Sequence, residues 1–246
     1  MKSLPGTIAV WGVLHCAALF AAEPPLKEIR IVLTGDSTVA DNAGWGPAFA
    51  ELLTPEAKCF NHAKGGASTK SFYTGNYWKN ALAQKPDYVL IQFGHNDQPG
   101  KGPQRETDPQ TTYRENLVRF ITETKAAGAQ PVLVTSLVRR IFLPDGKLQG
   151  ELAPYAAAAR AVAKEQNVPL VDLFARSLDL HERLGAKASE SFGPVHPKLA
   201  GKFDGTHLSK VGARQIARIV ADELRQAVPE LAPYIRVDDA ATTKSP

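Results

Sequence analysis

From Glu28 onward the chain alternates short apolar runs with longer stretches in which apolar residues recur every three or four positions. Alternation of this kind predicts βαβ units around a parallel sheet. Five runs read as strands: EIRIVLT at 28–34, KCFNHA at 58–63, DYVLIQF at 87–93, PVLVTS at 131–136 and VPLVDL at 168–173. Three of them, IRIVLT, YVLIQF and PVLVTS, are almost continuously apolar or β-branched, the pattern of strands covered by helices on both faces. Between strands, Asp108 and Pro109 form an N-cap and first-turn pair. Leu117, Phe120, Ile121 and Thr124 then follow at helical spacing, and Gly128 supplies a stop. A last helix is expected to open near Ser209 with Val211, Ile216, Ile219, Val220 and Leu224 as its inner stripe. Loops 98–108 and 139–154 are long enough to border a site. The tail after Val228 reads as a loose end, and no internal repeat or linker divides the chain.

The amino-terminal pattern differs from the rest. Lys2, an apolar run from Ile8 to Phe20 and small residues ahead of Glu23 predict a signal peptide over 1–22, leaving 23–246 as a single domain. The run is shorter than the roughly 20 apolar residues that span a bilayer, so the mature chain is expected in a secreted or periplasmic location without stable membrane insertion. His15 does not suit lipid attachment at Cys16. Cleavage would leave Cys59 as the one cysteine, in a strand-like stretch where a buried small apolar side chain is the expected role. With 43% hydrophobic and 22% charged residues the chain has a globular balance. Its formal charge of +4 gives no reason to expect nucleic acid, and is compatible with an acidic polymer substrate.

Four polar stretches fall at strand ends or before the last helix: TGDSTVA around Ser37, NHAKGGAS at 61–68, GHND at 94–97 and FDGTH at 203–207. In open α/β sheets the carboxyl edge is where ligands bind. Taken singly, each has an ordinary structural role, as a turn, an Asx turn or a lead into a helix cap. Taken together they hold complementary chemistry. A serine hydroxyl needs a base to take its proton, His207 is a candidate base, and Asp204 lies near enough to hold one imidazole tautomer. Attack on an ester carbonyl creates an oxyanion, for which the N–H of Gly66, the side-chain amide of Asn96 and the N–H of Ser37 are candidate donors.

These residues resemble the four blocks of the SGNH, or GDSL-type, hydrolases, and most closely their rhamnogalacturonan acetylesterase branch. GDSTVA, NHA, GASTKSF, FGHND, PVLVTSLVRR and D-x-T-H carry the resemblance, over about residues 31–220. It implies a flavodoxin-like three-layer α/β/α sandwich. It also implies Ser37 as nucleophile, Asp204 and His207 as its partners, and Ser37, Gly66 and Asn96 around the oxyanion, with no metal or cofactor. The implied substrate is an acetylated, pectic polysaccharide. Ala67 departs from the pattern, since many relatives carry arginine after the glycine.

Three rival readings are open to the same residues. An α/β-hydrolase elbow, G-x-S-x-G, fails at Val39. A metallophosphoesterase would use His62, His95, Asp97, Asp204 and His207, although these lack metal-ligand spacing. A non-catalytic sugar-binding module would use Trp45, Phe72, Tyr73, Tyr77 and Trp78 as platforms. His95 is expected to border a pocket and His62 to pack beneath a loop, neither with a catalytic role. Arg139 and Arg140 are expected either to meet a galacturonate carboxylate or to lie on a solvated loop.

Overall fold

The computed structural model describes residues 25–196 and 198–236, so the segment read as a signal peptide lies outside the described residues. Five strands form one parallel sheet: β1 (Ile29–Gly35), β2 (Ala57–Asn61), β3 (Tyr88–Gln92), β4 (Gln130–Val134) and β5 (Leu170–Val171). Their order is β2-β1-β3-β4-β5. This is the doubly wound, flavodoxin-like order, in which the direction of winding reverses between β1 and β3. The helices are α1 (Gly46–Ala50), α2 (Thr69–Thr74), α3 (Tyr77–Leu82), α4 (Thr112–Ala126), α5 (Ala153–Glu165), α6 (Leu173–Ser189) and α7 (Lys210–Ala227).

The period of two along each strand sorts side chains onto the two faces. Ile29, Ile31, Leu33, Leu90, Val132 and Val134 pack beneath α1 and α7 with Ile216, Val220 and Leu224. Val32, Val89, Ile91 and Leu133 point the other way, onto Phe72, Trp78, Leu117, Phe120 and Val162 of α2 to α5. Each fully buried aliphatic side chain here contributes about 1.5–3 kcal/mol over leaving it exposed. The result is a three-layer α/β/α sandwich.

Several local expectations need correction. The helix expected from Asp108 begins at Thr112, because the Asp108 carboxylate accepts the N–H groups of Gln110 (2.7 Å) and Thr111 (3.2 Å) in a turn of its own. Val211 is 54% exposed, since the buried stripe of α7 runs through Gly212, Ile216, Val220 and Leu224 at four-residue steps and Val211 falls beside it. The fifth strand is only two residues long, because Asp172 already caps α6 by accepting from the Ala175 N–H. The tail after Val228 is not loose as far as Arg236: Leu231 and Ile235 are buried in the core, and Arg236 N donates to Leu52 O at 2.8 Å.

Candidate active site

Ser37 stands just past β1, at the switch point. Gly35 is obligatory there, since a Cβ would lie 2.6 Å from the Gln92 carbonyl oxygen. Asp36 then turns inward, and its Oδ1 accepts the Thr38 N–H and hydroxyl, both at 2.8 Å. Thr38 Oγ1 receives the Gln92 amide (2.6 Å), whose oxygen receives the Trp45 indole N–H (2.9 Å). Trp45, Gln92, Thr38 and Asp36 are all buried, and this chain of bonds locks the turn that leaves Ser37 between them half-exposed. Trp45 therefore belongs to the scaffold under Ser37 and does not face a sugar.

His207 Nε2 lies 2.9 Å from Ser37 Oγ, and its Nδ1 lies 2.7 Å from Asp204 Oδ2. The other carboxylate oxygen of Asp204 accepts the N–H groups of Thr206 (2.7 Å) and His207 (3.0 Å). Burial works against the Asp204 charge, but the His207 ring and these two N–H groups outweigh it and pull the carboxyl down to about 2. The turn is gripped from behind by Arg140, whose Nη2 donates to the carbonyls of Asp204 (2.9 Å) and His207 (2.6 Å). Arg140 N also donates to Gly205 O at 2.7 Å. Burial lowers the Arg140 guanidinium to about 10, with Asp204 pulling it back up. Gly193 completes the packing, since a Cβ there would meet the Asp204 carbonyl oxygen at 2.1 Å.

The loop after β2 lies alongside the serine: a Cβ built on Gly65 would approach Ser37 Cβ at 3.9 Å. Gly66 has φ +78°, a left-handed conformation that suits glycine. Among the described residues the backbone N–H groups of Ser37 and Gly66 meet no acceptor. Asn96 Nδ2 donates to Ala67 O at 3.1 Å, which orients the amide and leaves its second hydrogen for another acceptor. Ala67, where the chain departs from the arginine of many relatives, is buried, and Arg105 approaches from the 98–108 loop with Nη1 3.5 Å from Gly66 O.

Asp97 builds the loop that presents Asn96. Its carboxylate accepts Gly94 N (3.1 Å), Thr69 N (3.1 Å), Thr69 Oγ1 (2.5 Å) and Thr107 Oγ1 (2.9 Å), tying the end of β3 to α2 and to the 98–108 loop. Burial nonetheless pushes its carboxyl up to about 7, against the pull of the two threonines.

The cleft in front of Ser37 has a volume of about 400 Å³, and His95, Asn96, Gln98, Lys101, Arg139 and His207 are among its lining residues. Both long loops thus border it. Arg139 is held by Glu151 (3.0 Å), Thr206 (3.2 Å), Gln98 and the His95 carbonyl, so it stiffens the wall. His95 is buried, with Nδ1 3.4 Å from Asp36 Oδ2, whereas His62 does not line the cleft. Among the described residues no Phe, Tyr or Trp lines it: Phe72 and Trp78 are core residues, and Tyr73 and Trp78 both donate to Glu123 elsewhere. His207 commits both ring nitrogens to Ser37 and Asp204, and among the described residues no three His, Cys, Asp or Glu side chains gather as a metal site would require. Cys59 is half-buried in β2, where burial and then Asp41 push its thiol up to about 12, an unreactive value.

Sequence reasoning missed the grip of Arg140 and the position of Lys101. The basic pair after β4 marked the place, but nothing in its spacing announces a bond to a turn more than sixty residues away.

The geometry has clear parallels among known proteins. Residues 33–202 match the model of the GDSL-like lipase/acylhydrolase family. The chain is 40% identical over 216 residues to rhamnogalacturonan acetylesterase RhgT of Bacillus subtilis, covering 81% of this chain and 91% of that protein. It is 30% identical over 221 residues to a rhamnogalacturonan acetylesterase of Emericella nidulans, covering 80% and 84%. Among solved structures, protein YXIM of B. subtilis matches with a TM-score of 0.69 at 25% identity, over 83% of this chain and 58% of that longer one. An acetylxylan esterase, Axe2 of Geobacillus stearothermophilus, matches with a TM-score of 0.61 at 20% identity, over 80% and 94%, and so shares the fold. The chain belongs to the GDSL-like lipase/acylhydrolase family and is a serine-type carboxylic ester hydrolase.

Proposed function

We propose that this enzyme is an exported esterase that removes acetyl groups from pectic rhamnogalacturonan through an acetyl-serine intermediate. The observation that carries the reading is the continuous chain of hydrogen bonds Ser37–His207–Asp204 facing an open cleft. Ser37 Oγ attacks the acetyl carbonyl carbon while its proton passes to His207 Nε2. The oxyanion is received by the N–H groups of Ser37 and Gly66 and the free amide hydrogen of Asn96. Losing one such donor costs about 3–4 kcal/mol of transition-state stabilisation. The tetrahedral centre collapses as the sugar oxygen leaves with the proton from His207. Water, deprotonated by His207, then attacks the acetyl-serine, acetate departs, and Ser37 recovers its proton.

The substrate assignment is supported by the relatives of higher identity, which are named for rhamnogalacturonan, and by the cationic lining of the cleft. Export is supported by the amino-terminal pattern of Lys2, an apolar run and small residues. Among the described residues no helix is long and apolar enough to cross a membrane. Acetate release from acetylated rhamnogalacturonan, acetylated xylan and an acetyl lipid ester tests the assignment. The pectic polymer is expected to be turned over fastest; equal rates on xylan would remove the pectic part of the reading.

A further inference from the structure

The aromatic stretch SFYTGNYW, residues 71–78, takes no part in lining the cleft in front of Ser37. It shapes a second cavity instead. Tyr73, Asn76, Trp78, Lys79, Leu82 and Glu123 surround a volume of about 310 Å³ among α2, α3 and α4, and none of them lines the catalytic cleft. The floor of this cavity is fixed before any ligand arrives. Trp78 is buried, its ring centre 4.3 Å from that of Phe120, and its indole N–H donates to Glu123 Oε2 at 2.7 Å. Tyr73 donates its hydroxyl to Glu123 Oε1 at 3.0 Å. Both donors are neutral, so the carboxylate is oriented without being neutralised, and each oxygen keeps a lone pair for a further donor. Asn76 and Lys79 are exposed, and their side chains meet no partner among the described residues.

The lining narrows the class of ligand. A cation would meet Lys79 and the Arg119 guanidinium, which lies 4.7 Å from the centre of the Tyr73 ring. An anion would meet the Glu123 carboxylate. A wholly apolar ligand would cover that carboxylate and leave its free lone pairs without a donor, at the cost of desolvation. A neutral ring that carries hydroxyls avoids all three conflicts. Its C–H groups lie against Trp78 and Leu82, one hydroxyl donates to Glu123, and others bond the Asn76 amide and the Lys79 ammonium.

We propose that this cavity is a second carbohydrate site, which holds a neutral pyranose unit of the polysaccharide while Ser37 acts on an acetylated unit elsewhere along the same chain. The inference rests on the acetylesterase reading above for the polymer it names. A weak site of this kind raises the local concentration of the chain at the cleft. It is tested by binding, apart from turnover. The Ser37→Ala enzyme is titrated with a deacetylated rhamnogalacturonan oligosaccharide, and the indole N–H signals are followed by nitrogen-edited NMR. Trp78 reports this cavity through its bond to Glu123, and Trp45 reports the cleft through its bond to Gln92. The Trp78 signal is expected to shift saturably, with a Kd on the order of 1 mM. Asn76→Gly keeps the left-handed turn at φ 61°, and combined with Lys79→Ala it weakens that binding by about fivefold, as the loss of a hydrogen bond does. Reducing the carboxyl groups of the oligosaccharide to alcohols, or adding salt to about 1 M, changes the Kd by less than about twofold, since the bound unit is neutral. A Trp78 signal that stays in place, a double variant that binds as its parent does, or a Kd that follows charge overturns the inference. Wild-type failure to release acetate from the acetylated polymer would instead overturn the acetylesterase reading, whatever the Trp78 titration shows.

Discussion

Ser37 is set apart from the other turn serines by its neighbours. Asp36 and Thr38 on either side are fully buried and bonded to each other, so the backbone has no freedom to withdraw the one hydroxyl that faces His207. Asp204 supplies the corresponding order for the imidazole. Its carboxyl, held at about 2 against an ordinary 3.8, contributes stability that is complete above the unfolded carboxylate's value and is lost only as pH falls through about 2. Asp204 is therefore already charged throughout the range in which an imidazole titrates, so its own protonation does not limit activity there. For Asp204→Asn we expect the fold to persist, because the amide oxygen can still accept the Thr206 and His207 N–H groups. The amide nitrogen, however, would face Nδ1 and impose the wrong tautomer, with kcat falling about 10⁴-fold. Steady-state kinetics with a soluble acetyl ester check this; a loss under tenfold would remove Asp204 from the proposed mechanism.

At the level of elements, the site depends on how separate loops are fastened to each other. Asp97 fastens the β3 end to α2, and Arg140 fastens the β4 end to the turn that carries Asp204 and His207. Both bonds come from one guanidinium nitrogen, Nη2, which lies one atom farther along the side chain than a lysine ammonium reaches. Arg140→Lys should thus let the turn shift, and displacements on the order of 1 Å cost roughly 10²-fold in rate. The expected signature is a fall in kcat with little change in KM, read from the same ester kinetics. An equal change in both constants in opposite directions, or none in kcat, would show that Arg140 does not position the turn. This scale also marks the boundary of what was legible in the sequence. GDS, GHND and D-x-x-H were readable because each is a short local pattern whose chemistry lies in adjacent residues. Arg140 was not, because its role exists only after β4 and the 203–207 turn meet in space, and Asp108 misled because the same carboxylate serves a turn as well as a helix cap.

For the molecule as a whole, the order β2-β1-β3 brings the loops carrying Ser37, Gly66 and Asn96 to one edge, and α7 returns the His207 turn to them. Apolar periodicity carried this architecture well, since burial on both faces leaves nearly continuous runs in β1, β3 and β4. It carried the margins poorly. Val211 is apolar yet points outward, and the segment after Val228 looks loose although Leu231 and Ile235 close the core beneath Leu53. The aromatics likewise gave no sign of direction, and Trp45 proved to brace the turn under Ser37. The proposed function requires the Ser37 hydroxyl to carry the acetyl group during turnover. Acid-quenching the enzyme while it turns over an activated acetyl ester, and locating the added acetyl group by peptide mass mapping, checks this. A single added acetyl group on the peptide containing Ser37, absent in Ser37→Ala, is the predicted result. Acetate release that continues undiminished in Ser37→Ala would contradict it.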